Sequence, residues 1–184
     1  MAKVVLIGTS HKYQTRGQNH ETEHVDQFEH VLSSLCSEHE CMGIAEEMNQ
    51  AALAERGVSE SVALAVSAAL GVAHQLSDPL PEIREQLDII CDENLFRAER
   101  WLEDWGQERI ETAVRKSHES RERYWLTQLR ILNASPLLFI CGANHLEPFA
   151  ALLRENGFEV VVAFSDWVPN PSFHRTCAKS RAGR

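Results

Sequence analysis

The sequence predicts a single α/β domain with a mostly parallel central sheet of about five strands flanked by helices. Three observations carry that expectation. Short, continuous apolar runs such as residues 4–7 and 137–141 read as strands buried on both faces, which parallel sheets require. These runs alternate with longer segments of helical period, the pattern of strand–helix–strand units. At 184 residues and 43% hydrophobic content the chain is long enough for one core without disulfide or metal staples.

The first strand runs into Gly8, Thr9, Ser10 and His11, and the strand near the other end runs into Gly142, Ala143, Asn144 and His145. Both read as a strand followed by Gly-x-x-His. A glycine there permits a sharp turn or close approach to a ligand, and the histidine three residues on falls just outside the strand's carboxyl end. Open α/β sheets bind ligands at that edge, so two such units would bring two imidazoles to one crevice. The alternative is that each histidine is a loop or helix-cap residue.

Residues 12–23 are polar, contain Gly17, Gln18 and Asn19, and lack an apolar period, so they read as a loop leaving the crevice. Val25, Phe28, Val31, Leu32 and Leu35 then keep helical spacing. The run 42–45 reads as a second strand ending in Glu46 and Glu47. Because successive strand side chains point to opposite faces, at most one of these carboxylates can face the crevice. Either glutamate could instead cap or start the helix expected over 49–55, where the helix dipole favours a carboxylate. A helix over 61–70 follows, with Ser61 or Ser59 as cap and Gly71 as stop. Residues 72–76 read as a weak third strand, interrupted by His74 and Gln75 and ending in Ser77, Asp78 and Pro79. Asp78 is either a turn residue or a third polar group at a strand end. Pro81 and Glu82 suit the first turn of a further helix.

Residues 93–132 form the longest helical stretch, and Gly106 together with the patch 116–120 divides it into two helices. Arg121 and Trp125 stand one turn apart on its second part. The arginine either snorkels to a surface acid or clamps an oxyanion in the crevice, since its planar fork suits two-point recognition. After the second Gly-x-x-His comes a helix closed by Gly157 and a last strand over 159–164. Residues 1–167 thus make the domain. Residues 168–184, carrying Arg175, Lys179, Arg181 and Arg184, read as a flexible basic tail.

Composition narrows the function classes. A formal charge of −9 speaks against a general nucleic-acid binder. Five cysteines without a Cys-x-x-Cys suggest neither a secreted scaffold nor a structural zinc site, and reduced thiols in the cytoplasm are expected. The N-terminus lacks the pattern of a signal peptide, and no run approaches a membrane span, so no membrane partner is expected.

Taken together, the two Gly-x-x-His strands, the acidic pair after the second strand, the Arg-Glu-x-x-Trp helix at Arg121 and the Cys-Gly-Ala-Asn-His-Leu segment at Cys141 resemble the TraB/GumN/Tiki and erythromycin-esterase/ChaN superfamily. The resemblance implies a compact α/β fold with two histidines, a glutamate and an arginine lining one pocket. They fall on His11, on Glu46 or Glu47, on Arg121 and on His145. It also implies mixed chemistry, because members include metal-dependent proteases, esterases and haem binders. The chain is shorter than typical members and carries tryptophan where many have methionine.

The expected activity is hydrolysis of an ester or peptide bond in a small-molecule or peptide substrate, with His11, Glu46, Glu47, Arg121 and His145 as catalytic candidates and Asp78 as a cofactor-binding one. If a divalent zinc or manganese ion binds, His11, His145 and a glutamate, with Glu47 taken as the ligand, would hold it and lower the pKa of a bound water. Without a metal, one histidine would act as general base and Arg121 would hold the developing oxyanion. The other expectation is a noncatalytic module that binds a small ligand or cofactor in the same pocket. Oligomeric state is left open by the sequence.

Overall fold

The computed structural model describes residues 1–16 and 22–170. Five parallel strands form one sheet: β1 (Lys3–Thr9), β2 (Gly43–Glu46), β3 (Ala73–Leu76), β4 (Leu137–Gly142) and β5 (Glu159–Trp167), in the order β3-β2-β4-β1-β5. Seven helices are described around it: α1 (Thr22–Glu38), α2 (Gln50–Glu55), α3 (Val62–Leu70), α4 (Pro81–Gln86), α5 (Glu93–Leu102), α6 (Gln107–Leu132) and α7 (Ala143–Glu155). A single 3-10 turn, His11–Tyr13, follows β1. Among the described residues no helix is long and apolar enough to cross a membrane.

The apolar runs are continuous because both faces of the sheet are covered. Val5, Ile7, Ile44, Leu138 and Ile140 point to one face and pack against Phe28 and Leu32 of α1 and Val62 and Val66 of α3. Val4, Leu6, Ala45, Phe139 and Cys141 point to the other, against Trp125 and Leu129 of α6 and Phe149 and Leu153 of α7. Local signals place the helix ends. The Ser61 hydroxyl accepts from the Leu64 N–H, Gly71 closes α3 at φ 69°, and Pro81 opens α4. The side chain of Asn49, rather than either glutamate before it, caps α2 by accepting from the Ala52 N–H.

Three expectations change. The division of the long helical stretch falls only at residues 103–106, and 116–120 is continuous helix within α6. The last strand extends to Trp167, which is buried against Phe28 and Tyr13 at ring-centroid distances of 4.9 and 5.2 Å. The chain also stays docked beyond 167: Gln27 exchanges side-chain to main-chain hydrogen bonds with Asn170, at 2.9 and 3.3 Å. The expected tail over 171–184 and the loop residues 17–21 lie outside the described residues.

The two Gly-x-x-His strands are neighbours, since β1 pairs with β4. From β1 the chain passes to α1 on one face, and from β4 to α7 on the other. Adjacent strands whose continuations part to opposite faces leave a crevice at their carboxyl ends, the ligand-binding position of open α/β sheets.

Gly8 does not end its strand, contrary to the sequence reading, and its need for glycine is not a ligand's. Register shifts between β1 and β5 bring the Ser165 carbonyl across it, so a β-carbon at Gly8 would lie 2.1 Å from that oxygen. Gly8→Ala should therefore destabilise the protein by at least about 3 kcal/mol in urea unfolding, as overpacking against backbone that cannot move aside. A loss under about 1 kcal/mol would mean that the two strands are not held in this register.

Candidate functional site

A cavity of about 350 Å³ opens at the carboxyl ends of β1, β2 and β4, and His11, Glu47, Arg121, Gly142 and His145 are among the residues lining it. Alternation along β2 separates the two glutamates. Glu46 has the parity of Ile44 and points to the α3 face, where it is fully buried; it accepts from the Ser61 hydroxyl and lies 2.9 Å from His74 Nε2. Glu46 therefore does not line the cavity, and Glu47 does.

Glu47 is 3% exposed. Its Oε2 accepts from the Gly142 N–H at 2.6 Å, and its Oε1 lies 3.0 Å from an Arg121 terminal nitrogen and 3.5 Å from His11 Nε2. Burial opposes ionisation of Glu47, but the Arg121 guanidinium and the His11 imidazole outweigh it and hold the carboxyl well below the usual carboxylate range. For His11 burial acts downward, yet the adjacent Glu47 carboxylate raises its pKa.

Asp78 does not line the cavity; it stands behind Arg121. Its Oδ1 accepts from Arg121 Nε at 2.6 Å and from the Trp125 indole N–H at 3.2 Å. Its Oδ2 accepts from the Asn49 amide at 3.0 Å and from Arg84. The expected cofactor-binding role thus gives way to a positioning one: Asp78 fixes the guanidinium that faces Glu47.

The helix dipole and a second carboxylate act on His145, which occupies the first turn of α7. Its Nδ1 lies 2.9 Å from Oε1 of Glu122, itself 3% exposed. Because a carboxylate oxygen accepts, Nδ1 carries a proton, which leaves Nε2 as the ring nitrogen that can act as a base. Gly142 caps α7 with no side chain, so no cap side chain occupies the first turn of that helix, whose Ala143 and Asn144 line the cavity. The backbone at Gly142, φ −61° and ψ 141°, suits any residue, but a β-carbon there would sit 3.3 Å from Glu47 Oε2, 3.6 Å from His11 Nε2 and 3.9 Å from His145 Cδ2. Three candidate groups thus surround one point.

Sequence reasoning missed Glu122, His118 and Glu93. His118 lines the cavity, its ring 4.4 Å from that of His145 between centroids, and its Nε2 lies 3.2 Å from Glu93 Oε2 at the start of α5. Burial lowers its pKa, and the His145 imidazole, when protonated, acts in the same direction. The signal that finds it is the helical stripe Val114, His118, Arg121, Trp125, visible once α6 is read as unbroken.

The expected metal ligands converge only partly. Among the described residues no three His, Cys, Asp or Glu side chains are grouped so as to hold a metal ion. The neighbour of Glu47 Oε1 is the Arg121 guanidinium, a fixed cation that would repel a second one. The donor set fits a neutral ligand better than a divalent metal.

Fold and site define a class: a single-domain, all-parallel α/β protein with a histidine- and carboxylate-lined cavity at the topological switch point of its sheet. Comparison with protein-family models, with curated proteins and with solved structures returned no match.

A depressed carboxylate pKa adds stability that is complete above the unfolded value, near 4.5 for glutamate, and is lost as pH falls through the folded value. Glu47→Gln should therefore flatten the decline of unfolding free energy below pH 4.5, and the gap between the two proteins should narrow with acid. Parallel curves for the two would show that the Glu47 carboxylate is not held ionised by its neighbours.

Proposed function

We propose that the protein is a hydrolase of ester or peptide bonds in small substrates, acting through a histidine base and without a metal step. The observation that carries this reading is the convergence of Glu47, His11 and His145 within 4 Å of one point above Gly142. A water between the imidazoles and a substrate carbonyl would lose its proton to His145 Nε2 as its oxygen bonds to the carbonyl carbon, with Glu122 stabilising the imidazolium. The oxygen that gains charge would face Arg121 and the first turn of α7. As the bond to the leaving group breaks, His145 returns the proton to it. These reacting residues are also the positions matched to the superfamily pattern in the sequence, which supports the same assignment. The size of the cavity favours a small molecule or one end of a peptide over an extended polypeptide. We place the reaction in the cytoplasm, in keeping with the free thiols of Cys36, Cys41, Cys91 and Cys141.

On a panel of small esters and amides, His145→Ala should lower kcat/KM by about a thousandfold. Gly142→Ala should lower it by about a hundredfold, because the methyl group fills the reacting space and crowds Glu47. Arg121→Lys should cost about tenfold or more, since lysine keeps the charge and loses the planar fork. Ligand binding without turnover by the wild type would instead identify a noncatalytic binding module.

The metal-dependent form of the reading has its own check. Elemental analysis of protein purified without chelator or a metal-affinity tag should find zinc and manganese well below one per chain. A stoichiometric ion that disappears in the His11→Ala, His145→Ala double variant would replace the histidine-base mechanism with a metal-bound water.

A further inference from the structure

The lining of the cavity extends beyond the reacting groups. Along α6, Val114 and Arg121 both line it, seven residues apart and hence about 10 Å along the helix axis. Val114 is 4% exposed, and half-buried Ile90 lines the same cavity from the segment between α4 and α5. That segment is tied down over the wall: the Ile90 N–H donates to Ser117 Oγ at 2.8 Å, and Glu93 pairs with His118. Val114 and Ile90 are therefore held on one stretch of the lining by a main-chain to side-chain hydrogen bond and a carboxylate–imidazole contact, with Ser117 and His118 beside them. Two further carboxylates, Glu93 and Asp166, also line the cavity, where they would disfavour an anionic group.

We propose that the Val114–Ile90 end is the specificity pocket, and that it takes a short, uncharged aliphatic chain of the substrate. With the carbonyl held near Arg121, the roughly 10 Å to Val114 leaves room for about four to six carbons once contact radii are subtracted. The substrate class is thus a short-chain acyl ester or amide rather than a dicarboxylate, a long-chain lipid or a sugar. This inference rests on the hydrolase reading for its choice of ester probes, but the pocket itself is open to a separate test by binding.

The test uses 4-nitrophenyl acetate, butyrate, hexanoate and decanoate with the full chain, its Val114→Phe variant and its Val114→Ala variant. The wild type should prefer butyrate or hexanoate over acetate by at least about tenfold and should discriminate against decanoate, as added methylenes first fill and then overrun an apolar pocket. Val114→Phe should lower the butyrate-to-acetate ratio by at least about tenfold, and Val114→Ala should move the optimum to a longer chain. The opposite directions of the two shifts separate a pocket effect from a folding defect. In parallel, saturation-transfer NMR with 2-hexanone, which has no bond to hydrolyse, should detect binding to the wild type and its loss in Val114→Phe. Binding with that loss, but no ester turnover, would uphold the pocket and overturn the hydrolase reading. A chain-length profile unchanged in both variants, or equal 2-hexanone binding by wild type and Val114→Phe, would overturn the pocket.

Discussion

The buried ion pair between Glu47 and Arg121 is the constraint on which the candidate site depends. Two charges removed from water are costly to keep, and a pair of this kind survives only when its remaining valences are satisfied. Here most are: Gly142 donates to Glu47 Oε2 from β4, and Asp78 takes Arg121 Nε after β3, while Glu47 Oε1 has only the charge contacts to Arg121 and His11 and no hydrogen bond. One chain of polar contacts thus crosses from β3 through α6 to β2 and β4. Breaking it at any point strands a charge in a region walled by Trp125, Phe139 and the sheet. The chain fixes Arg121 and the strand ends, and His11 and His145 then stand over the same space.

The topology makes that chain possible. β4 enters the sheet last but one and settles between β2 and β1, so the strand that carries the second histidine joins the strand that carries the first to the strand that carries the glutamate. Polar groups can collect at this edge because the apolar parts of the same strands are buried on both faces and need no further cover. The flap over the cavity is built differently. Every residue of α4 and α5 is exposed or half-buried, and α5 is held to α6 largely by polar pairs such as Arg97 with Glu111.

Much of this was legible in the sequence where local chemistry decides the outcome. The continuous apolar runs announced buried parallel strands, and Ser61, Gly71 and Pro81 marked helix ends through backbone requirements that are local. The repeated Gly-x-x-His found both imidazoles. Alternation said that only one of Glu46 and Glu47 could face the crevice, but choosing between them needed the face on which α3 packs. What escaped was set by long-range packing. The 116–120 patch looks like a break because it is charged and contains serine, yet α6 runs through it with Ser117 and His118 turned inward at the cavity. Reading a break there hid the alignment of Val114 and His118 with Arg121, and Glu122 entered only as part of the Arg-Glu-x-x-Trp pattern. Asp78 was placed at a strand end correctly, but its role depends on an arginine 43 residues later. Trp167 and Asn170 were assigned to a domain edge and a tail because the surrounding composition turns polar, whereas their partners Tyr13, Phe28 and Gln27 lie near the other end of the chain.

The central claim, that the Glu47–Arg121 pair organises the site, is tested most directly by a double-mutant cycle on unfolding free energy with Glu47→Gln, Arg121→Met and the double variant at neutral pH. The account predicts strong coupling, with the double variant more stable than the sum of the single losses by at least about 1 kcal/mol, because each single change leaves the partner's charge buried and poorly matched. Losses that add to within about 0.5 kcal/mol would show that the two groups do not sense one another, and would contradict the account.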